Sequence, residues 1–207
     1  MKKFLYLCFA LFLTAAILGV LPIHGEDELY DKVLRLHVIA NSDTDADQEL
    51  KLKVRDAVIE QTGRILEDCP DKQEAIRRLS CPENQKSIED AARMTVEQEG
   101  FSYPVSVTLC REEYPTKNYE SFCFPAGEYA SLKVEIGESE GRNWWCVLFP
   151  RLCLDAASGT ADGSSNEDAF IAAGFTPDQY KIVTESEDAQ YQIRFKLLEV
   201  IKDAIGE

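Results

Sequence analysis

The chain has 207 residues, 45% of them hydrophobic and including ten Phe and eight Tyr, enough for one globular domain with a core and too apolar for a disordered chain. Its formal net charge is −15, and without Lys2 and Lys3 of the N-terminal segment the body carries 20 basic against 37 acidic residues, or −17. Phosphate backbones and anionic lipid headgroups repel such a body, so nucleic acid is not an expected partner.

The chain opens "MKKFLYLCFALFLTAAILGVLPIHGED". Two lysines precede an uncharged apolar run over 4–23, broken only by Thr14, Gly19 and Pro22, which is the pattern of an export signal. As a helix rising ~1.5 Å per residue the run spans about 30 Å, so two readings stand: a signal peptide over 1–25, or an uncleaved signal-anchor tethering the protein to the membrane through 4–23. Ile23-His24-Gly25 is a poor match to a small-x-small cleavage site. In both readings the lysines stay inside and the acidic body, 26–207, is delivered outside. Cys8 sits in the apolar run without the flanking pattern of a lipid-modified cysteine. The exported part then holds Cys69, Cys81, Cys110, Cys123, Cys146 and Cys153, an even number that fits disulfides without fixing their connectivity.

Along the body, "VLRLHVIA" predicts a strand near 33–40, with Leu34, Leu36, Val38 and Ala40 toward the core and Arg35, His37 and Ile39 on the other face. From Asn41 the period changes. Leu50, Val54, Ala57, Val58 and Gln61 share one face of a helix near 45–61, with Lys51, Lys53 and Arg55 turned outward. Ser42, Asp43 or Thr44 can cap this helix, and Asp45, Asp47 and Glu49 suit its positive end. The alternation Asp43, Asp45, Asp47 resembles the opening of a calcium loop, but Gln48 replaces its glycine and Val54 its closing glutamate, so capping explains the cluster.

Further helices are predicted over 71–79 and near 82–99. The second has proline at its first position, Gly100 at its stop and a stripe of Ile88, Ala91, Ala92, Thr95 and Val96. A strand near 103–110 places Val105, Val107 and Leu109 on one face. The aromatic, proline-rich connection "EYPTKNYESFCFPAGEYA" is too apolar for a solvated loop and is expected to lie against the body. Ala130, Leu132, Val134 and Ile136 mark a strand near 129–136, "GESEG" a turn, and 143–149 a return strand completing a hairpin. Residues 156–168 have the small, acidic composition of a flexible surface loop. Ile193, Leu197, Val200, Ile201 and Ile205 form the stripe of a last helix near 188–205. The fold class is α+β: a mainly antiparallel sheet packed with helices in a single domain, with strand order left open.

Residues for chemistry are few. His37 is the one histidine beyond the signal region, and alone it builds no multi-histidine metal centre; on the polar parity of a strand it is structural, or pairs with Asn41, Asp43 or a cysteine. Hydrolase elbows, zinc-protease helices and phosphate-cradling loops are absent from the sequence, and neither a metal nor a cofactor is expected. Cys146 and Cys153 enclose "VLFPRL", a spacing unlike that of redox or zinc pairs. A bend at Pro150 would let them close a disulfide worth ~2–3 kcal/mol; buried thiols are the other reading. Trp144 and Trp145 point to opposite faces of their strand, one anchoring the core and the other facing outward beside Arg142 and Arg151 as a partner hot spot. An exported thiol- or carboxylate-dependent hydrolase centred on His37, Asp43 and Cys146 stands as the alternative to a non-enzymatic protein.

Three stretches, "LRLHVIANSDTDADQELKLKVRDAV" (34–58), "FPAGEYASLKVEIGESEGRNWWCVLFPRLCL" (124–154) and "IRFKLLEVI" (193–201), together resemble the stage II sporulation protein R family of endospore-forming bacteria. The chain departs from the family pattern at Arg151, where a second proline is usual, and Cys69, Cys81, Cys110 and Cys123 match no family motif. The resemblance implies a signalling protein without catalytic residues. It would be made in the forespore and secreted into the space between forespore and mother cell, where it activates a membrane-embedded aspartic protease of the mother cell that processes the precursor of sigma E. Asn41, Asp43, Arg142, Asn143, Trp144 and Trp145 are the residues expected to touch the protease.

Overall fold

The computed structural model describes residues 6, 30–118, 123–152, 170–171, 174–176 and 183–184. The expected signal or anchor segment (apart from Tyr6), Cys153, the loop 156–168 and the helix 188–205 lie outside them. Among the described residues no helix is long and apolar enough to cross a membrane.

Strand β1 (Leu34–Ile39) leads into helices α1 (Asp45–Ile65), α2 (Lys72–Leu79) and α3 (Pro82–Gln98). Then come β2 (Val105–Tyr114), the two-residue strands β3 (Lys117–Asn118) and β4 (Cys123–Phe124), β5 (Gly127–Ile136) and β6 (Asn143–Phe149). Of the three capping candidates Thr44 is the N-cap of α1: its extended backbone aims Oγ1 at Asp47 N, satisfying one of the helix's orphan donors. Asp71 does the same for α2 through Glu74 N at 2.8 Å.

The architecture is α+β, with a sheet in the order β2-β5-β1-β6 whose β1–β5 pair is parallel and whose other pairs are antiparallel. This corrects the expected hairpin of 129–136 with 143–149: β5 and β6 do not pair, because β1 lies between them. The turn is instead an arch over the end of β1. Glu140 N and Gly141 N donate to the carbonyls of Asn41 and Ala40 at 3.2 and 3.0 Å. Gly137 takes φ +60 beside the Asn41 carboxamide, and a Cβ on Gly141 would run into Ser42 O, so glycine permits the close approach.

One face of the sheet packs on the helices. Leu34, Leu36 and Val38 of β1 and Leu132 and Val134 of β5 meet Leu50, Val54 and Val58 of α1 and Ile88, Ala92 and Val96 of α3. The other face is covered too, around Val33, Tyr114, Phe124, Tyr129, Val147 and Leu152, joined by Phe170, Phe175 and Val183. Phe124 and Tyr114 show that the aromatic connection does lie against the body. All six residues of β1 are consequently buried, and its second face, read from sequence as merely polar, is interior. Arg35, wholly buried there, stands over the Tyr114, Tyr129 and Phe124 rings at 4.4, 5.0 and 5.4 Å and donates from Nε to Cys146 O. Lys51, expected outside, is 5% exposed and donates to Gln48 Oε1 and to Arg142 O. Burial and the neighbouring Arg142 charge lower its pKa.

No disulfide joins described residues, and Cys69, Cys81 and Cys110 are free thiols, against the expectation of pairing. Cys69 packs on the helix-side core and Cys81 is the N-cap residue of α3, whereas Cys110 is set apart from both, pairing with Ser131 on the far face of the sheet.

Candidate functional site

The residues singled out in sequence converge on one end of the sheet, where β1 stops, α1 starts and β6 begins. Asn41 ties these pieces together. Its Nδ2 donates to Asp47 Oδ2 at 2.9 Å, its Oδ1 accepts from Glu138 N at 3.0 Å, and its carbonyl holds the arch. Ser42 Oγ donates to the same Asp47 oxygen at 2.5 Å. Burial works to raise the Asp47 pKa, but hydrogen bonds from Ser42, Asn41, Tyr103 and Thr44 outweigh it and hold the carboxyl below its ordinary value. Asp43 faces outward: its Oδ1 accepts from Arg142 N at 2.7 Å and lies 3.6 Å from Arg142 Nε. The three aspartates of the calcium-like run are thus split between the arch, solvent and the cap.

Beside this arch lies His37, 8% exposed. Its Nδ1 is 3.2 and 3.3 Å from the two Glu112 oxygens and its Nε2 is 3.0 Å from Asn143 Oδ1. Burial works against the Glu112 charge, but hydrogen bonds to His37 and Ser131 and the charges of His37 and Lys133 hold its pKa below the ordinary 4.5. Tyr114 Oη and Ser131 Oγ, 2.6 Å apart, extend the polar chain toward Arg35. Glu112 was not foreseen. The signal that could have found it is parity, since Cys110, Glu112 and Tyr114 continue the alternation of β2 beyond the predicted end of the strand.

The tryptophans do occupy opposite faces, but both are half-buried, which corrects the division into one anchor and one outward ring. Trp144 packs on the helix-side core with the Arg55 guanidinium 5.0 Å from its ring. Trp145 sits against His37 at 5.5 Å with Lys117 Nζ 4.1 Å from its ring. Arg142 and Asn143 are exposed, and Asn41 is partly buried.

His37, Asp43 and Cys146 are not brought together. Cys146 pairs with Leu36 in the helix-side core, His37 pairs with Trp145 on the other face, and Asp43 is occupied by Arg142. The Cys146–Cys153 staple involves a residue outside the described ones. What is assembled is a cross-braced sheet end that presents Asp43, Arg142 and Asn143 beside one half-buried indole.

Residues 30–158 match the model of the family described as stage II sporulation protein R. Over 225 aligned positions the chain is 32% identical to the stage II sporulation protein R of Bacillus subtilis (strain 168), covering 98% of this chain and 99% of that protein. No solved structure matches.

Proposed function

The chain belongs to the stage II sporulation protein R family and serves sporulation, and from that premise we propose that it is a secreted, non-catalytic signal. It passes from the forespore into the space between forespore and mother cell and activates a membrane-embedded aspartic protease of the mother cell, which then matures the sigma E precursor. Residues 4–23 direct export and, if retained, tether it to the membrane. The observation that carries this reading to residues is the braced sheet end. Asp43 and Arg142 project from two loops that Asn41 and Gly141 lock together, with Asn143 beside them at the start of β6, so a partner meets a preformed surface with little ordering left to do. An acidic body also stays off anionic headgroups, leaving protein contacts to position it at the membrane.

The test is co-expression of the full chain with the protease and the sigma precursor in a host lacking all three. Arg142→Glu, at an exposed position, is expected to slow precursor processing by about tenfold or more with an unchanged urea midpoint. Wild-type processing by a folded Arg142→Glu, Asn143→Ala double variant would overturn the assigned surface. Abolition of processing by a folded Cys146→Ala variant would turn the assignment toward a thiol enzyme.

A further inference from the structure

Lys51 is a buried cation held by neutral groups. Its ammonium donates to Gln48 Oε1 at 2.7 Å and to Arg142 O at 2.9 Å, and its third proton has no acceptor among the described residues. Burial and the Arg142 charge push its pKa down, Asp43 works the other way, and Arg55 adds to the push. A charge buried without an anion in contact is costly, and an anion arriving from outside offsets that cost.

Two more cations face the same seam between α1 and the start of β6. Arg142 has its own N–H held by Asp43 and its carbonyl by Lys51, so its side chain extends from a fixed point. Its guanidinium is 66% exposed and meets Asp43 Oδ1 at 3.6 Å from Nε, an ion pair too long for a hydrogen bond, which leaves the planar fork of donors open. Arg55, one turn along α1 from Lys51, stands 5.0 Å from the Trp144 ring centre and pairs with Asp56. Three cations thus gather in a chain with 22 basic against 37 acidic residues. Asp43 acts on both Arg142 and Lys51, but its Oδ1 is shared with Arg142 N and Gln48 Nε2.

We propose that this seam is a carboxylate-binding site that takes one acidic side chain of a protein partner on the Arg142 fork, with Lys51 and Arg55 behind it and Asp43 as the internal anion it displaces. That the side chain belongs to the protease rests on the function proposed above; the charge of the ligand does not. The surroundings select among anions. Glu138 and Glu140, exposed on the same arch, repel a run of negative charges such as a lipid surface, whereas a single carboxylate can enter beside them. Arginine grips a carboxylate through two parallel N–H donors, and the half-buried Trp144 ring offers the stem of the acid an apolar wall.

The experiment uses the full-length chain in mild nonionic detergent, labelled with 15N-arginine, with Arg142→Lys to assign the signal. The probe is a peptide with a single Glu between glycines, blocked at both ends, against its Gln analogue. The Glu peptide is expected to shift the Arg142 Nε–H signal saturably and further than that of Arg93, an exposed arginine paired with Asp90, while the Gln peptide moves neither. In a Trp145→Phe sample, where Trp144 is the remaining indole, emission follows the same curve. Read that way, Arg142→Gln weakens binding by about tenfold, as loss of a charged hydrogen bond does, and Lys51→Met weakens it too. Asp43→Asn keeps an acceptor for Arg142 N but removes the competing charge, and tightens binding by about twofold to fivefold.

An Arg142 shift no larger than that of Arg93, an equal response to the Gln peptide, or an Asp43→Asn chain that binds no more tightly would overturn the site. Phosphatidylglycerol added to the micelles, if it moved Arg142 as the Glu peptide does, would overturn the choice of a protein partner. If Lys51→Met fails to fold, the exposed positions Asp43 and Arg142 decide. No protease enters these readouts, so their failure would leave the activator reading standing, and its failure would leave the carboxylate site.

Discussion

Asn41 shows how much one amide can hold. Both ends of its side chain and its own carbonyl are engaged, to Asp47, Glu138 and Glu140. Removing the amide strands a partly buried donor and acceptor, each costing about 1–3 kcal/mol. Asn41→Ala is therefore expected to lower the unfolding free energy by about 1–3 kcal/mol, read as a lower urea midpoint at unchanged slope. Gly137→Ala should act the same way from the other side of the contact, since it strains a left-handed backbone and crowds the carboxamide. By contrast the Asp43–Arg142 pair, 64% and 66% exposed, contributes under about 1 kcal/mol to folding, so its importance would be to a partner. At this scale the sequence displayed the residues but not what each would hold. "ANSDTD" announced a helix start, yet nothing local to it says that Asn41 will reach a loop almost a hundred residues on. His37 was visible as an oddity, but Glu112 became its partner only through the register of β2 on β5 and β5 on β1.

Elements were legible wherever a local rule fixed them. Proline at the start of α3, the capping run before α1 and the alternation of Val105, Val107 and Leu109 all lie where their patterns place them. The neighbours of the strands were not legible, because pairing is a non-local choice. A turn-forming "GESEG" between two strands suggests a hairpin, but β1 lies between them and pairs along both of its edges. Charge and ring on that second face, Arg35 and His37, disguised a central strand as an amphipathic one. The position of β1 sets a contrast. Leu36, fully buried at the sheet centre, is expected to lose about 2–5 kcal/mol on replacement by alanine, and Leu109, half-buried on edge strand β2, clearly less. Urea unfolding of the two variants side by side makes the comparison, and equal losses would contradict the central placement.

Over the whole molecule the charge of −15 and the depressed carboxyls act in opposite directions along the pH scale. Asp47 and Glu112 both titrate in the folded chain below their ordinary values of 3.8 and 4.5. Their contributions are present above those values and disappear as pH falls through the folded ones. Toward neutral pH the excess negative charge repels itself, and salt screens that repulsion over about 8–10 Å. The urea midpoint at neutral pH is thus expected to rise between low and physiological salt, while Asp47→Asn should flatten the acid limb of the stability profile. A midpoint that falls with salt would mean that attractive surface pairs outweigh the net charge.

The placement of β1 also has a consequence in time. Leu34 pairs with Ala130 on one side and Phe149 on the other, so the strand at the middle of the sheet is made first and its partners arrive about a hundred residues later. A chain emerging N-terminus first must hold an apolar strand in waiting while α1, α2 and α3 form, with both strand edges open to any passing chain. Sheet assembly can finish only when β6 has emerged, so a nascent chain halted before residue 143 should associate with holding chaperones, and one extended past 149 should let them go.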